Sequence, residues 1–187
     1  MLLSGGETMV PREEDDTMDA VIVYESAWGN TKIIAEAVAE GLAATVDVGK
    51  ILDVGSAAPF ERREADLLVL GAPTHAFGLS RPQTREEAAR RGGHPGDLGV
   101  REWIGAVGEL NLPVAVFDTH VRRPDLPGTA SKKAAKLLRS HGARLLVKPE
   151  SFYVAGYEGP VLPGEIDRAT KWGAELARLL PERSRAA

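Results

Sequence analysis

The feature that most constrains this chain is a regular alternation of short, fully apolar runs with longer stretches of helical periodicity. Residues 20–24, 67–70 and 113–117 are runs of aliphatic, β-branched and aromatic side chains of strand length, as expected for strands covered on both faces. Residues 45–52 form a weaker strand with partial alternation. A last strand, 144–147 and 151–154, is interrupted at Pro149. Between these lie helical stripes: Ile34, Ala37, Val38 and Leu42; Val100, Trp103, Ile104, Val107 and Leu110; Ala134, Leu137, Leu138 and His141; Ile166, Ala169, Gly173, Leu176 and Leu180. A short helix is expected over 84–91. Five strands alternating with helices predict an α/β fold, a doubly wound parallel sheet with helices on both faces. Ligands of such sheets bind beyond the carboxyl ends of the strands. The loops after Tyr24, Leu70 and Phe117 are therefore the places to look for chemistry.

With 187 residues, 43% hydrophobic and 27% charged, the chain is long enough for one packed domain and short for two. It contains no cysteine, which excludes disulfides, thiol catalysis and thiolate-held metal, so any redox chemistry must come with a cofactor. No apolar run is long enough to span a membrane and no secretory signal is visible, which predicts a cytoplasmic protein. The formal charge is -4, but residues 1–19 carry six acids and one base. Removing that -5 leaves the body at +1. We therefore expect a disordered acidic leader over 1–19, a domain over 20–181 and a short tail over 182–187. Met18 is an alternative start that would remove the leader.

The first loop reads Glu25, Ser26, Ala27, Trp28, Gly29, Asn30, Thr31 and opens directly into a helix. Hydroxyls at both ends, with Gly and Asn between, suit a tight turn whose N–H groups point inward, backed by a helix dipole. The absence of lysine and arginine favours a phosphate monoester held by neutral donors over a triphosphate. The plainer alternative is a strand–helix turn in which Asn30 or Thr31 serves as an N-cap.

This run, with Tyr-Glu-Ser-Ala-Trp-Gly-Asn-Thr at its centre, resembles the signature of the flavodoxins, and the resemblance extends over residues 20–181. It implies a flavodoxin-like sheet of order 2-1-3-4-5 and a bound FMN. By that resemblance Ser26, Trp28, Asn30 and Thr31 are phosphate-loop residues, with backbone contacts from Ala27 and Gly29. Ala27 and Trp28 depart from the small or hydroxyl residues common there. The second loop, Pro73, Thr74, His75, Ala76, Phe77 and Gly78, is similar to the family loop whose backbone turns to meet the reduced ring. Gly78 is the candidate for easing that turn, and His75 and Phe77 are candidates to cover a ring face; the alternatives are a core Phe77 and a solvent-exposed His75. The third loop, after Phe117, carries Asp118, Thr119 and His120 where the family often offers a stacking tyrosine. Asp118 has a capping role as its alternative.

Residues 122–148 hold eight bases against one acid. They suggest a docking face for an acidic partner or for a nicotinamide cofactor's phosphates, although a solvated helix face is the commoner outcome. Nucleic-acid binding is not expected, because no aromatics interleave the bases. Residues 81–99 form an unusually long connection, suited to a lid or a subunit contact. The four histidines lack metal-ligand spacing, the acids of a phospho-receiver are missing, and so is the three-glycine dinucleotide fingerprint. Three functions stay open: an FMN electron carrier working with a redox partner protein, an FMN-dependent NAD(P)H or quinone oxidoreductase, and an interaction module without cofactor. The intact Gly29-Asn30-Thr31 favours the first two.

Overall fold

The computed structural model describes residues 18–57, 65–122 and 128–180. The leader up to residue 17 and the expected tail lie outside them. Along the chain run β1 (Met18–Tyr24), α1 (Asn30–Leu42), β2 (Val46–Asp53), β3 (Leu67–Pro73), α2 (Pro82–Arg90), α3 (Val100–Ala106), β4 (Pro113–Val121), α4 (Ala130–Ser140), β5 (Arg144–Leu145), β6 (Glu150–Val154) and α5 (Glu165–Leu179). The sheet order is β2-β1-β3-β4-β5, every pairing is parallel, and β6 also pairs with β4. β5 pairs with the start of β4 and β6 with its end, so the two are one edge strand interrupted where Pro149 was expected to break it.

Strand side chains alternate between two cores, as the period of two requires. Val21, Val23, Leu68, Leu70, Val114 and Val116 face Trp103 and Ile104 of α3 and Leu138 of α4. Ile22, Leu67, Val69 and Phe117 face Ile34 and Val38 of α1 and Trp172 and Leu176 of α5. On that second face α1 and α5 meet backbone to backbone: a Cβ on Gly41 would overlap the Thr170 carbonyl, and one on Gly173 the Val38 carbonyl. Phe117, Phe152 and Trp172 close this core edge to face, with centroids 5.8–6.2 Å apart, an arrangement that adds about 0.5–1.5 kcal/mol per pair beyond area burial.

Several boundaries differ from expectation. β3 runs on to Pro73, paired with Thr119 of β4, so Pro73 stands on a strand and not in the second loop. β1 takes in Met18 and Asp19, which the composition had assigned to the leader, because both pair with β2. α2 starts at Pro82, whose fixed φ suits a first turn. α3 stops at Ala106; Val107 and Leu110 keep their buried positions but leave the helix. Most consequential, β4 continues through Val121, so Asp118, Thr119 and His120 stand on a strand and not in a loop. β6 pairs with all three, and β3 with Asp118 and Thr119.

Candidate functional site

The carboxyl ends of β1, β3, β4 and β6 surround a cavity of about 500 Å³, within the range of small-molecule and cofactor sites. Its floor is the turn between β1 and α1. Gly29 is the N-cap of α1, with φ of 85°, a left-handed conformation that costs glycine nothing. Among the described residues no side chain caps this helix, and its first turn holds no acid. The plain capping role considered for Asn30 or Thr31 is therefore not what the structure has. Thr31 Oγ1 instead bonds Thr119 Oγ1 at 2.8 Å, tying the turn to the end of β4. Ser26 Oγ is buried and has no hydrogen-bond partner among the described residues. An orphaned buried hydroxyl costs about 1–3 kcal/mol. It stands beside the uncapped N-terminus of α1, so unmet hydrogen-bond donors of two kinds occur together in this turn.

The neighbouring wall is the hairpin 75–78. His75 N–H donates to the Gly78 carbonyl (2.8 Å) and Gly78 N–H to that of His75 (3.0 Å). The two central residues, Ala76 (φ 42°) and Phe77 (φ 66°), are both left-handed, the geometry of a type I′ turn that normally calls for Asn-Gly. Gly78, expected to supply the backbone freedom, is not left-handed; its missing Cβ makes room for the Lys133 side chain. Phe77 is 50% exposed, so it is no core residue. His75 is half-buried. Burial, with the Arg85 charge second, holds its imidazole below the ordinary histidine range, so it is neutral at pH 7.

At the end of β4 the buried Asp118 spans two partners. Its Oδ1 lies 2.7 Å from His120 Nδ1, and its Oδ2 accepts the Ser131 N–H at 2.9 Å in the first turn of α4. Asp118 thus caps a helix and orients a histidine, and does not itself line the cavity. The His120 ring packs edge-on against Tyr153, with centroids 5.2 Å apart. Thr74 belongs to the same knot: its N–H donates to the Thr119 carbonyl, and its hydroxyl accepts the Ala130 N–H.

Of the residues singled out in the sequence, Ser26, Ala27, Trp28, Asn30, Thr31, Pro73, Thr74, His75, Ala76, Phe77, Thr119 and His120 line this one cavity. Gly29, Gly78 and Asp118 shape it from behind. What sequence reasoning missed is the far wall. Gln83, Thr84, Glu87, Arg90 and Arg91 of α2 and its C-cap face in, as do Val154 and Tyr157 after β6. Arg91 lies 6.0 Å from the Tyr157 ring centroid across the mouth. Glu87 is bonded to both Arg90 and Arg91 at 2.8 Å, and these contacts hold its carboxyl below the usual carboxylate range. The signal for Tyr157 was its place just beyond a strand end, in the glycine-bounded turn 156–159.

The connection 81–99 is pinned and not loose. The His94 N–H donates to the Ala27 carbonyl at 2.7 Å, and Gly93 lies against the Trp28 ring. Beneath it, buried Arg85 donates to Ser80, Glu102 and the Asp97 carbonyl at 3.0–3.1 Å. Glu25, at the root of the turn, accepts the Val100 N–H at 2.9 Å. Burial keeps its carboxyl above the usual range despite that bond and the Ser80 hydroxyl. On the opposite side, Lys132, Lys133, Lys136 and Arg139 of α4 stand on an exposed helix face, away from the large cavity.

No protein-family model and no curated protein matches the chain. Solved structures do. An archaeal flavodoxin is 21% identical, with 87% of this chain and 99% of that chain covered and a TM-score of 0.62. Oxidised Flavodoxin 1 from Bacillus cereus is 18% identical over 87% and 99%, with a TM-score of 0.64. The chain has the flavodoxin fold. A WrbA-like flavodoxin from Agrobacterium tumefaciens extends the likeness (20% identity, 88% and 98% covered, TM-score 0.56). Among the described residues, no helix is long and apolar enough to cross a membrane, and no cluster of metal-ligating side chains occurs.

Proposed function

We propose that the chain binds FMN non-covalently in the 500 Å³ cavity and works as an electron-transfer flavoprotein with a separate redox partner. The observation that carries this is the open cradle at residues 26–31. Ser26 Oγ is buried without a partner, and α1 begins with neither a cap nor an acid. Both deficits are met by one phosphate group, which accepts from the hydroxyl and from the backbone N–H groups of the helix start. Asn30 and Thr31 stand beside it, and no fixed cation is needed. Bound FMN would supply the reversible uptake of one or two electrons.

The remaining lining suits a planar heterocycle. Phe77 and Tyr157 offer aromatic surface from two sides of the mouth, and His75 and His120 offer ring nitrogens. Neutral His75 can donate or accept but brings no charge. Asp118 fixes the ring of His120 from behind, leaving Nε2 without a hydrogen-bond partner among the described residues. The left-handed Ala76 and Phe77 place strained backbone at the cavity rim, where a turn that changes conformation would release it.

A second reading, an FMN-dependent NAD(P)H or quinone oxidoreductase, is favoured by the Asp118–His120 pair. A carboxylate-oriented imidazole in the cavity can hold and deliver a proton at Nε2, which a simple carrier does not require. Anaerobic reduction of the FMN-loaded protein separates the two. A carrier accumulates the one-electron-reduced spectrum and reacts slowly with NAD(P)H. An oxidoreductase passes directly to full reduction and turns over NAD(P)H with a quinone. Failure to bind FMN sinks both.

A further inference from the structure

Behind the hairpin 75–78 lies a second, smaller cavity of about 50 Å³, sharing His75, Ala76 and Thr84 with the large one. Three cations from three separate segments meet there: Arg81, Arg101 and Lys133. No carboxylate lines it, and among the described residues none of the three has an acidic partner within salt-bridge distance. Arg101 Nε is buried and lacks any hydrogen-bond acceptor. It is one of two such orphaned side-chain atoms among the described residues; the other, Ser26 Oγ, is in the phosphate cradle. All three cations also sit near helix starts: Arg81 at the N-cap of α2, Arg101 second in α3 and Lys133 fourth in α4. Helix dipoles disfavour positive charge at that end. Arg81 and Lys133 reach the pocket from exposed positions, where water screens their charge, so the unmet need there is the buried Arg101 Nε, which lacks an acceptor beside two further cations.

We propose that this pocket is an anion site that takes a single phosphate monoester group, distinct from the cradle at 26–31. A volume a few times the about 10–15 Å³ that one water needs admits one tetrahedral oxyanion and is too small for a nucleoside. A dianion there neutralises the cluster and gives Arg101 Nε its acceptor. Phosphate is preferred to a carboxylate because donors approach from three directions and not as a single planar fork. The group comes either from free phosphate or from the phosphate of a nicotinamide dinucleotide reaching toward the large cavity. The site stands on its own residues, whether or not the large cavity holds FMN.

The test is calorimetric titration of inorganic phosphate into the full chain, with FMN in excess to fill the cradle and again without FMN. Saturable binding is expected in both, weakened about tenfold or more by Arg101→Gln and by Lys133→Met, each loss being that of one charge-assisted contact. Methionine keeps an unbranched stem over Gly78. Lys136→Gln, an equal charge change on the exposed face of α4, should leave binding unchanged. Asn30→Asp with Thr31→Ala should abolish only binding at the cradle. NADP bound more tightly than NAD and displaced by phosphate identifies the dinucleotide as the source. Equal NADP and NAD binding beside intact phosphate binding identifies the free ion. Absence of phosphate binding in the presence of FMN, or binding that Arg101→Gln and Lys133→Met leave unchanged or Lys136→Gln weakens equally, overturns the site.

Discussion

The two turns that meet at the large cavity solve the same backbone problem in opposite ways. At the cradle the left-handed residue is Gly29, and a Cβ there would meet no atom within 4 Å. At the hairpin the left-handed residues are Ala76 and Phe77, side chains for which that region costs about 1–2 kcal/mol each. The first turn is relaxed in backbone and leaves hydrogen-bonding groups unmet. The second is satisfied in hydrogen bonds and strained in backbone. For the proposed FMN site, the one turn would hold the phosphate without moving and the other would keep a conformational reserve at the rim.

Substitutions can break this contrast. The largest effect is expected from Asn30→Asp with Thr31→Ala, which sets a carboxylate against the phosphate and removes a hydroxyl. FMN affinity should fall about a hundredfold or more, some 2.7 kcal/mol, as read by flavin fluorescence. Next comes Gly29→Ala. Because nothing obstructs the new methyl group, the cost is conformational alone, about 1–2 kcal/mol, or roughly 2–8 °C in Tm. Phe77→Gly should move the other way. Relief of strain, offset by the greater freedom of glycine in the unfolded chain, leaves a gain of about 0.5–1 kcal/mol by denaturant unfolding. Smaller still is Ser26→Ala, which removes an orphaned hydroxyl. Flavin-free stability should rise by about 1 kcal/mol at most, the low end of that hydroxyl's cost, while FMN affinity drops.

A pH comparison sharpens the same point at the root of the cradle. Burial raises the Glu25 pKa, so folding favours the protonated acid more than the unfolded chain does. Its contribution is then most favourable below the unfolded pKa near 4.5 and is lost as pH rises through the folded value. Glu25→Gln mimics the protonated form. Its stability relative to the parent should therefore be greater at pH 7 than at pH 4, measured by urea unfolding at both.

The parts legible in the sequence were those written in local pattern. The apolar runs at 67–70 and 113–117 have only one use in a chain this size, and the turn at 26–31 announces itself by hydroxyls, Gly and Asn before a helical stripe. The wall contributed by α2 was not legible. Gln83, Thr84, Glu87 and Arg91 look like any polar helix until Arg85, buried against Ser80, Glu102 and the Asp97 carbonyl, fixes which face turns inward. The extension of β4 to His120 depended on β6, a partner some 30 residues away in the chain. Expecting the hairpin to turn on Gly78 followed the residue with the greatest freedom. The fold instead spends that glycine on clearance for Lys133, a contact that no local pattern encodes.

The most direct test of the central claim is titration of FMN into the purified flavin-free protein, following quenching of flavin and tryptophan fluorescence. Trp28 lines the cavity and serves as the internal reporter. One-to-one binding at or below micromolar FMN, lost with Asn30→Asp and Thr31→Ala together and indifferent to Lys136→Gln, is the expected result. Absence of binding at micromolar FMN, or binding that survives the double substitution unchanged, would contradict the assignment of residues 26–31 as a flavin phosphate cradle.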